Sequence, residues 1–395
     1  MDDPADHSLH CLDCGATFDP SGAVYRCPDC DGLLEVATDD EGLGDVDAAT
    51  VRGRDDDGLH RYAEFLPFTR DTAVSIDEGA TPSVSCPDLA DDLGVGALLI
   101  KDEGRNPTGT VADRGLSLAV TAAVRQGAAD VALPTTGNGG QSAAAYAGRA
   151  GIDSHSFVPT RCPFVNKAMV NVHGGDMTVV EGRYADALGA YEDAVADAEE
   201  WTPVGPASPY RRAGAKTVYF EFAEALGWEA PDAVVVPVGH GNVIAGIHEA
   251  VDDLDAAGLV EDAPRLYAVQ PEGCPPVYDR WAEQGQLDSV ETPDTIVGPL
   301  EVGDPAAGAL AVDAVDRTGG RAVVVDDDAI LEAGADAASE TGVEVGATGG
   351  VAVAGARALA ADGHLESDDT VALVNPIAGS KEADLLRSYL MSQGM

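Results

Sequence analysis

Apolar residues in this chain gather in short runs closed off by turn residues, and between the runs lie longer alanine-rich stretches whose apolar positions recur at helical spacing. Ala97–Ile100 reads as a buried strand, a turn carries Pro107 and Gly109, and Leu116–Arg125 reads as a helix. The apolar run Asp130–Leu133 leads through Pro134–Gln141 (PTTGNGGQ) into a helix over Ser142–Ala150. Further strands are predicted at Ser154–Val158, Met177–Val180, Ala233–Val238, Leu266–Gln270, Ala322–Val325 and Val371–Asn375, with an acid-faced amphipathic helix over Tyr184–Glu199. Strands alternating with helices predict an α/β fold with mainly parallel sheets. Ala37–Asp57, rich in Asp and Gly and without apolar periodicity, is predicted to be a solvated linker.

Composition narrows the function classes. Of the 395 residues 45% are hydrophobic, which rules against disorder, and no apolar run approaches the length of a membrane span. The acidic, polar start MDDPADHSLH has no signal-like apolar region, so a cytoplasmic location is expected. Lys+Arg 23 against Asp+Glu 69 gives a net charge of -46, with the acids spread along the chain and only Lys101, Lys167, Lys216 and Lys381 as lysines. This resembles the solvated surface of proteins from halophilic cytoplasm, where salt screens self-repulsion. It excludes nucleic acid as a partner, because phosphate backbones need a basic face. A small anionic ligand requires local backbone donors, and the Thr135–Gly140 turn (TTGNGG), between a strand and a helix, offers them.

Four of the seven cysteines form two knuckles, Cys11 and Cys14 in CLDCG and Cys27 and Cys30 in CPDCDG. Two such knuckles can arrange four thiolates around one Zn²⁺ at ~2.3 Å, a closed structural site that replaces a core too small to form alone. Reduced or redox-active thiols are the alternative. Cys86, Cys162 and Cys274 are scattered, and an odd total argues against a disulfide framework.

Several segments, in order, resemble the threonine synthase branch of the fold-type-II pyridoxal-phosphate enzymes: Lys101–Gly115 (KDEGRNPTGTVADRG), Thr135–Gly140, Gly214–Glu221 (GAKTVYFE), Pro231–Gly241 (PDAVVVPVGHG), Val269–Cys274 (VQPEGC) and Gly298–Pro305 (GPLEVGDP). An N-terminal zinc ribbon agrees with archaeal threonine synthase-like proteins. The resemblance implies a two-domain α/β fold of the tryptophan synthase beta type behind the ribbon, with domains at 1–36 (ribbon), 37–105 with 207–395 (large) and 106–206 (small). It implies pyridoxal phosphate as cofactor, an amino-acid ligand and a homodimer. Asn138 would lie against the cofactor ring, and Gly239, His240, Gly241 and Asn242 would hold its phosphate.

The same resemblance exposes departures. Ala112 stands where the family carries the Schiff-base lysine, and a methyl group cannot form that bond. Gly346 and Gly349 replace the family's Glu and Ser, and Pro376 replaces the threonine on the pyridine nitrogen, a role open to Ser380. Two functions follow: a lyase converting O-phosphohomoserine to threonine and phosphate, with its catalytic site degenerate, or a non-catalytic ligand-binding or regulatory relative holding the cofactor without a covalent bond.

Overall fold

The computed structural model describes residues 7–22, 25–38, 46–56, 58–198, 200–286 and 288–394. In chain order the strands are β1 (His7–Cys11), β2 (Thr17–Phe18), β3 (Leu34–Thr38), β4 (Ser83–Ser85), β5 (Ala97–Asp102), β6 (Asp130–Pro134), β7 (Asp153–Pro159), β8 (Asp176–Val180), β9 (Trp201–Pro203), β10 (Ala233–Pro237), β11 (Arg265–Pro271), β12 (Arg321–Val325) and β13 (Thr370–Asn375). The helices are α1 (Ala48–Arg52), α2 (Pro87–Leu93), α3 (Ala112–Arg125), α4 (Asn138–Ala150), α5 (Phe164–Val172), α6 (Tyr184–Asp197), α7 (Pro209–Ala225), α8 (Asn242–Ala256), α9 (Pro276–Glu283), α10 (Gly308–Arg317), α11 (Asp327–Thr341), α12 (Ala347–Ala361) and α13 (Ala383–Ser392).

Three sheets result. A six-stranded sheet runs β12-β11-β10-β13-β5-β4, parallel except where β4 pairs antiparallel with β5. A four-stranded sheet, β8-β7-β6-β9, is parallel throughout, and β2-β1-β3 is antiparallel. The unbroken apolar run of β10, AVVVP, is buried at every position with a parallel neighbour on each side, as a strand covered on both faces requires.

The chain divides into two compact units. The first comprises Met1–Ala80, Ala112–Phe220 and Glu249–Glu261. Its core joins Leu9 and Leu34 of the small antiparallel sheet to Leu59, Leu66, Phe68, Leu116, Val120, Leu133, Tyr146 and Tyr210. His7 meets the ring edges of Phe68 and Tyr210 at 5.3 and 5.8 Å, and buried Arg212 ties the Leu34 carbonyl to α7. The second unit comprises Thr81–Val111, Glu221–His248 and Asp262–Met395, with a core that includes Leu98, Ile100, Val235, Val269, Ile330, Val351 and Leu373.

Leu59, Leu66, Phe68 and the first part of α7 bury apolar side chains with the Cys-bearing sheet. The expected linker needs correction. Ala37 and Thr38 finish β3, and 48–52 is helical, its start capped where the Asp47 carboxylate accepts the Thr50 N–H at 2.7 Å. Val46 and Val51 are buried beside it, and 39–45 and 57 lie outside the described residues. No helix among the described residues is long and apolar enough to cross a membrane.

Candidate functional site

In the first unit, Cys11, Cys14, Cys27 and Cys30 converge, their Sγ atoms all within 4.8 Å of one another. Cys11 and Cys30 approach to 3.5 Å and Cys14 and Cys27 to 3.6 Å, near the ~3.8 Å spacing of thiolates around a tetrahedral zinc. The backbone makes this possible: Gly15 and Asp31 adopt positive φ and return their N–H groups to the Cys11 and Cys27 carbonyls, turning each knuckle sharply. None of the described cysteines is in a disulfide. The donor set fits a structural metal.

The first unit also carries Ala112 and Asn138. Ala112 is the half-buried first residue of α3, which starts four residues earlier than its apolar pattern indicates. The two residues after it are wholly buried: Asp113 accepts from the Ser142 hydroxyl of α4 at 2.5 Å, and Arg114 donates to Thr217 of α7 at 2.9 Å. Gly115 lets α7 come close, since a Cβ there would stand 2.6 Å from the Arg211 carbonyl. The start of α3 is thus held firmly with a methyl group at 112. In the turn that follows β6, Thr135 Oγ1 accepts the N–H groups of Gly137 and Gly140 at 3.0 and 3.3 Å. Asn138 opens α4, and its Oδ1 is buried with no hydrogen-bond partner among the described residues.

The second unit holds the remaining expected residues. Gly239, His240, Gly241 and Asn242 connect β10 to α8, a 15-residue helix with no acidic residue in its first turn. Gly241 has φ +87°, and a Cβ on it would stand 2.6 Å from the Ala307 carbonyl; one on Gly239 would stand 3.1 Å from the Pro299 carbonyl. The loop is pinned where Ala307 N–H donates to the His240 carbonyl at 2.8 Å. Glycine-lined backbone at a helix N-terminus suits an oxyanion. Ser380, by contrast, is exposed and donates to Glu344 at 3.0 Å.

Two residues of this unit escaped the sequence reading. Asn375 ends β13, donates through Nδ2 to Asp102 at 3.0 Å, and keeps a buried Oδ1 without a partner among the described residues. Burial pushes the Asp102 carboxyl above the usual carboxylate range, against the opposing pull of Asn375. Glu382 is buried at the start of α12, accepting the Thr348 N–H at 2.8 Å and its hydroxyl at 2.6 Å, and burial likewise raises its pKa. Glycines at 346 and 349 explain both placements: a Cβ on Gly346 would collide with the Glu382 carboxylate, and one on Gly349 with Asn375 Oδ1. The chain fills from 382 and 375 the space that side chains at 346 and 349 would need.

Each of the four lysine ammonium groups is engaged. Lys101 is completely buried, donating to Glu221 and to the Thr81 carbonyl at 2.5 Å each. Burial pulls the Lys216 pKa down, but Asp253 at 2.9 Å and Glu249 outweigh it and leave the ammonium raised and charged. Lys381 donates to the Thr108 carbonyl at 2.7 Å, helping to clamp the 106–111 corner, and Lys167 donates to the Thr160 carbonyl at 2.7 Å from a half-buried position.

Comparison with known proteins identifies the family. The family model described as "Pyridoxal-phosphate dependent enzyme" matches residues 74–376. The threonine synthase of Methanocaldococcus jannaschii is 30% identical over 377 residues, covering 95% of this chain and 93% of that protein. The threonine synthase of Methanosarcina acetivorans is 32% identical over 370 residues, covering 93% and 90%. Among solved structures, maize serine racemase superposes with a TM-score of 0.67 at 20% identity, over 80% of this chain and 94% of that one, a likeness of fold.

Proposed function

We propose, since this chain belongs to the pyridoxal-phosphate dependent enzyme family, that it is a threonine synthase-like member that has kept the fold and ligand-facing loops while losing the catalytic lysine. It binds pyridoxal phosphate, or a small ligand in its place, without a covalent bond. The observation that carries this reading is the methyl group of Ala112 together with the engagement of all four lysine ammonium groups elsewhere.

The residues present fit the cofactor's polar ends and not its covalent attachment. The loop of Gly239, His240, Gly241 and Asn242, at the N-terminus of α8, would hold its phosphate. Within the second unit, the orphaned Oδ1 of Asn375 suits a protonated ring nitrogen better than Ser380, already donating to Glu344, would. In this family the bound cofactor supplies an electron sink. Here the chain's own contribution ends at binding and orientation, because position 112 can carry no proton. Cys11, Cys14, Cys27 and Cys30 hold a structural Zn²⁺. The net charge of -46 is a salt-adapted surface, in keeping with a cytoplasmic, halophilic setting.

The test is turnover together with retention. The purified protein should keep pyridoxal phosphate through equilibrium dialysis and release no phosphate from O-phosphohomoserine above the uncatalysed rate. Release at about 1 s⁻¹ or faster, ordinary for a working enzyme, would overturn the proposal.

A further inference from the structure

We infer that Asp102 is a positioning residue that locks the Asn375 amide as a pure hydrogen-bond acceptor. This end of the site then selects phosphorylated nitrogen heterocycles by a ring N–H, and takes them with or without an aldehyde. This deepens the reading of Asn375 as the partner of a protonated ring nitrogen and rests on it, adding a residue and a ligand class.

Asp102 and Asn375 end the neighbouring parallel strands β5 and β13 and stand opposite each other in register. On the other side of β13, β10 ends at Pro237, with the Gly239–Asn242 loop just beyond. Carboxylate, amide and loop thus follow one another at the carboxyl ends of three adjacent parallel strands, where open α/β sheets bind their ligands. Adjacent strands lie about 4.8 Å apart, so a small ring with a phosphate arm has the size to reach both the loop and the amide.

The Asn375 amide has one orientation. Its Nδ2 lies 3.0 Å from the Asp102 carboxylate and 3.4 Å from the Glu344 carbonyl, and turning the amide over would set oxygen against oxygen at both. Asp102 is 4% exposed and Asn375 2%, so water does not relax this constraint. Oδ1 is left as an acceptor with no hydrogen-bond partner among the described residues, in space that exists because a Cβ on Gly349 would collide with it. A hydroxyl in this role could donate or accept and would tolerate a ring nitrogen with or without its proton; an amide held by a carboxylate only accepts. A buried acceptor left unmet is costly, so a ligand that brings an N–H is rewarded and one that brings a C–H is not. An aldehyde gains nothing comparable, because position 112 carries a methyl group and the four lysine ammonium groups are engaged.

Equilibrium dialysis of the full chain tests this with three probes: pyridoxal 5'-phosphate; pyridoxine 5'-phosphate, whose alcohol replaces the aldehyde; and the 1-deaza analogue of the first, whose C–H replaces the ring nitrogen. The unaltered protein should bind the first two within about threefold of each other. It should bind the analogue about tenfold or more weakly, the worth of a hydrogen bond to a charged group. Asp102→Ala should shrink that preference to about threefold or less, by weakening the two ring-nitrogen probes and leaving the analogue unchanged; a purely structural loss would weaken all three alike. Asp102→Asn keeps the side chain's shape and can donate to Oδ1, so it carries the same expectation where the alanine variant does not fold. Variants that keep the full preference, or weaken all three probes alike, would make Asp102 a packing residue and overturn the inference. An analogue bound as tightly as pyridoxal 5'-phosphate, or pyridoxine 5'-phosphate bound tenfold more weakly, would overturn it too, while the non-covalent reading of the site stands. If no probe binds, or pyridoxal 5'-phosphate is captured on a lysine by borohydride, that reading falls with it.

Discussion

Replacing Lys101 by Met tests whether this lysine holds structure or performs chemistry. Its ammonium is completely buried, 2.5 Å from both Glu221 Oε2 and the Thr81 carbonyl, with the Phe222 ring 5.9 Å away. Met has similar length and no charge, so the substitution leaves Glu221 buried with the N–H of Thr81 at 3.1 Å as a remaining donor. Breaking one side of a buried ion pair costs about 3–5 kcal/mol, whereas replacing both partners with apolar residues costs far less. Lys101→Met should therefore lower the melting temperature by about 6 °C or more, and Lys101→Met with Glu221→Leu should recover most of the loss. Differential scanning calorimetry of the three proteins, with pyridoxal phosphate affinity measured in parallel, reads both. A single variant that melts normally but loses cofactor-dependent visible absorbance would refute the reasoning and make Lys101 the reactive amine.

Other perturbations probe the remaining parts. Burial, with a smaller push from Arg125, lowers the His7 pKa from 6.5 to about 4, so the unfolded chain binds a proton that the folded chain refuses. Stability should consequently fall as pH drops from 6.5 towards about 4, by up to about 3 kcal/mol, and His7→Phe should flatten that dependence in urea titrations. Chelation should remove about one zinc per chain, expose four thiols to a titrating reagent and lower the melting temperature; native protein free of metal would contradict the four-sulfur site. Gly241→Ala forces a side chain into positive φ at a cost of about 1–2 kcal/mol and drives it towards the Ala307 carbonyl, so phosphate and pyridoxal phosphate affinity should drop. Unchanged affinity would remove that loop from the binding surface.

The parallel strands were legible because each is an apolar run closed by turn residues, and β5, β6, β10 and β13 lie within two residues of the predicted limits. Two edge strands were not: Ser83–Ser85 and Trp201–Pro203 span three residues each, too short to show a period. The starts of α3 and α4 were hidden by their own chemistry. Ala112, Asp113 and Arg114 read as turn because charge masks the helical face, yet the structure buries both charges on partners. Asn138, Gly139 and Gly140 likewise read as loop. Cysteine spacing announced the four-sulfur cluster because four identical side chains repeat at fixed intervals. Asn375 and Glu382 carried no such signal. Each is placed against a glycine distant in sequence, Gly349 or Gly346, and the vacancy that a glycine offers appears only when the chain is folded.

The most direct measurement is mass-spectrometric mapping of peptides after mixing the protein with pyridoxal phosphate and reducing with borohydride, using Ala112→Lys as the reference for capture. The unaltered chain should carry no stoichiometric reduced cofactor on any lysine, while retaining the cofactor reversibly before reduction. Stoichiometric capture on Lys101, Lys167, Lys216 or Lys381 would contradict it.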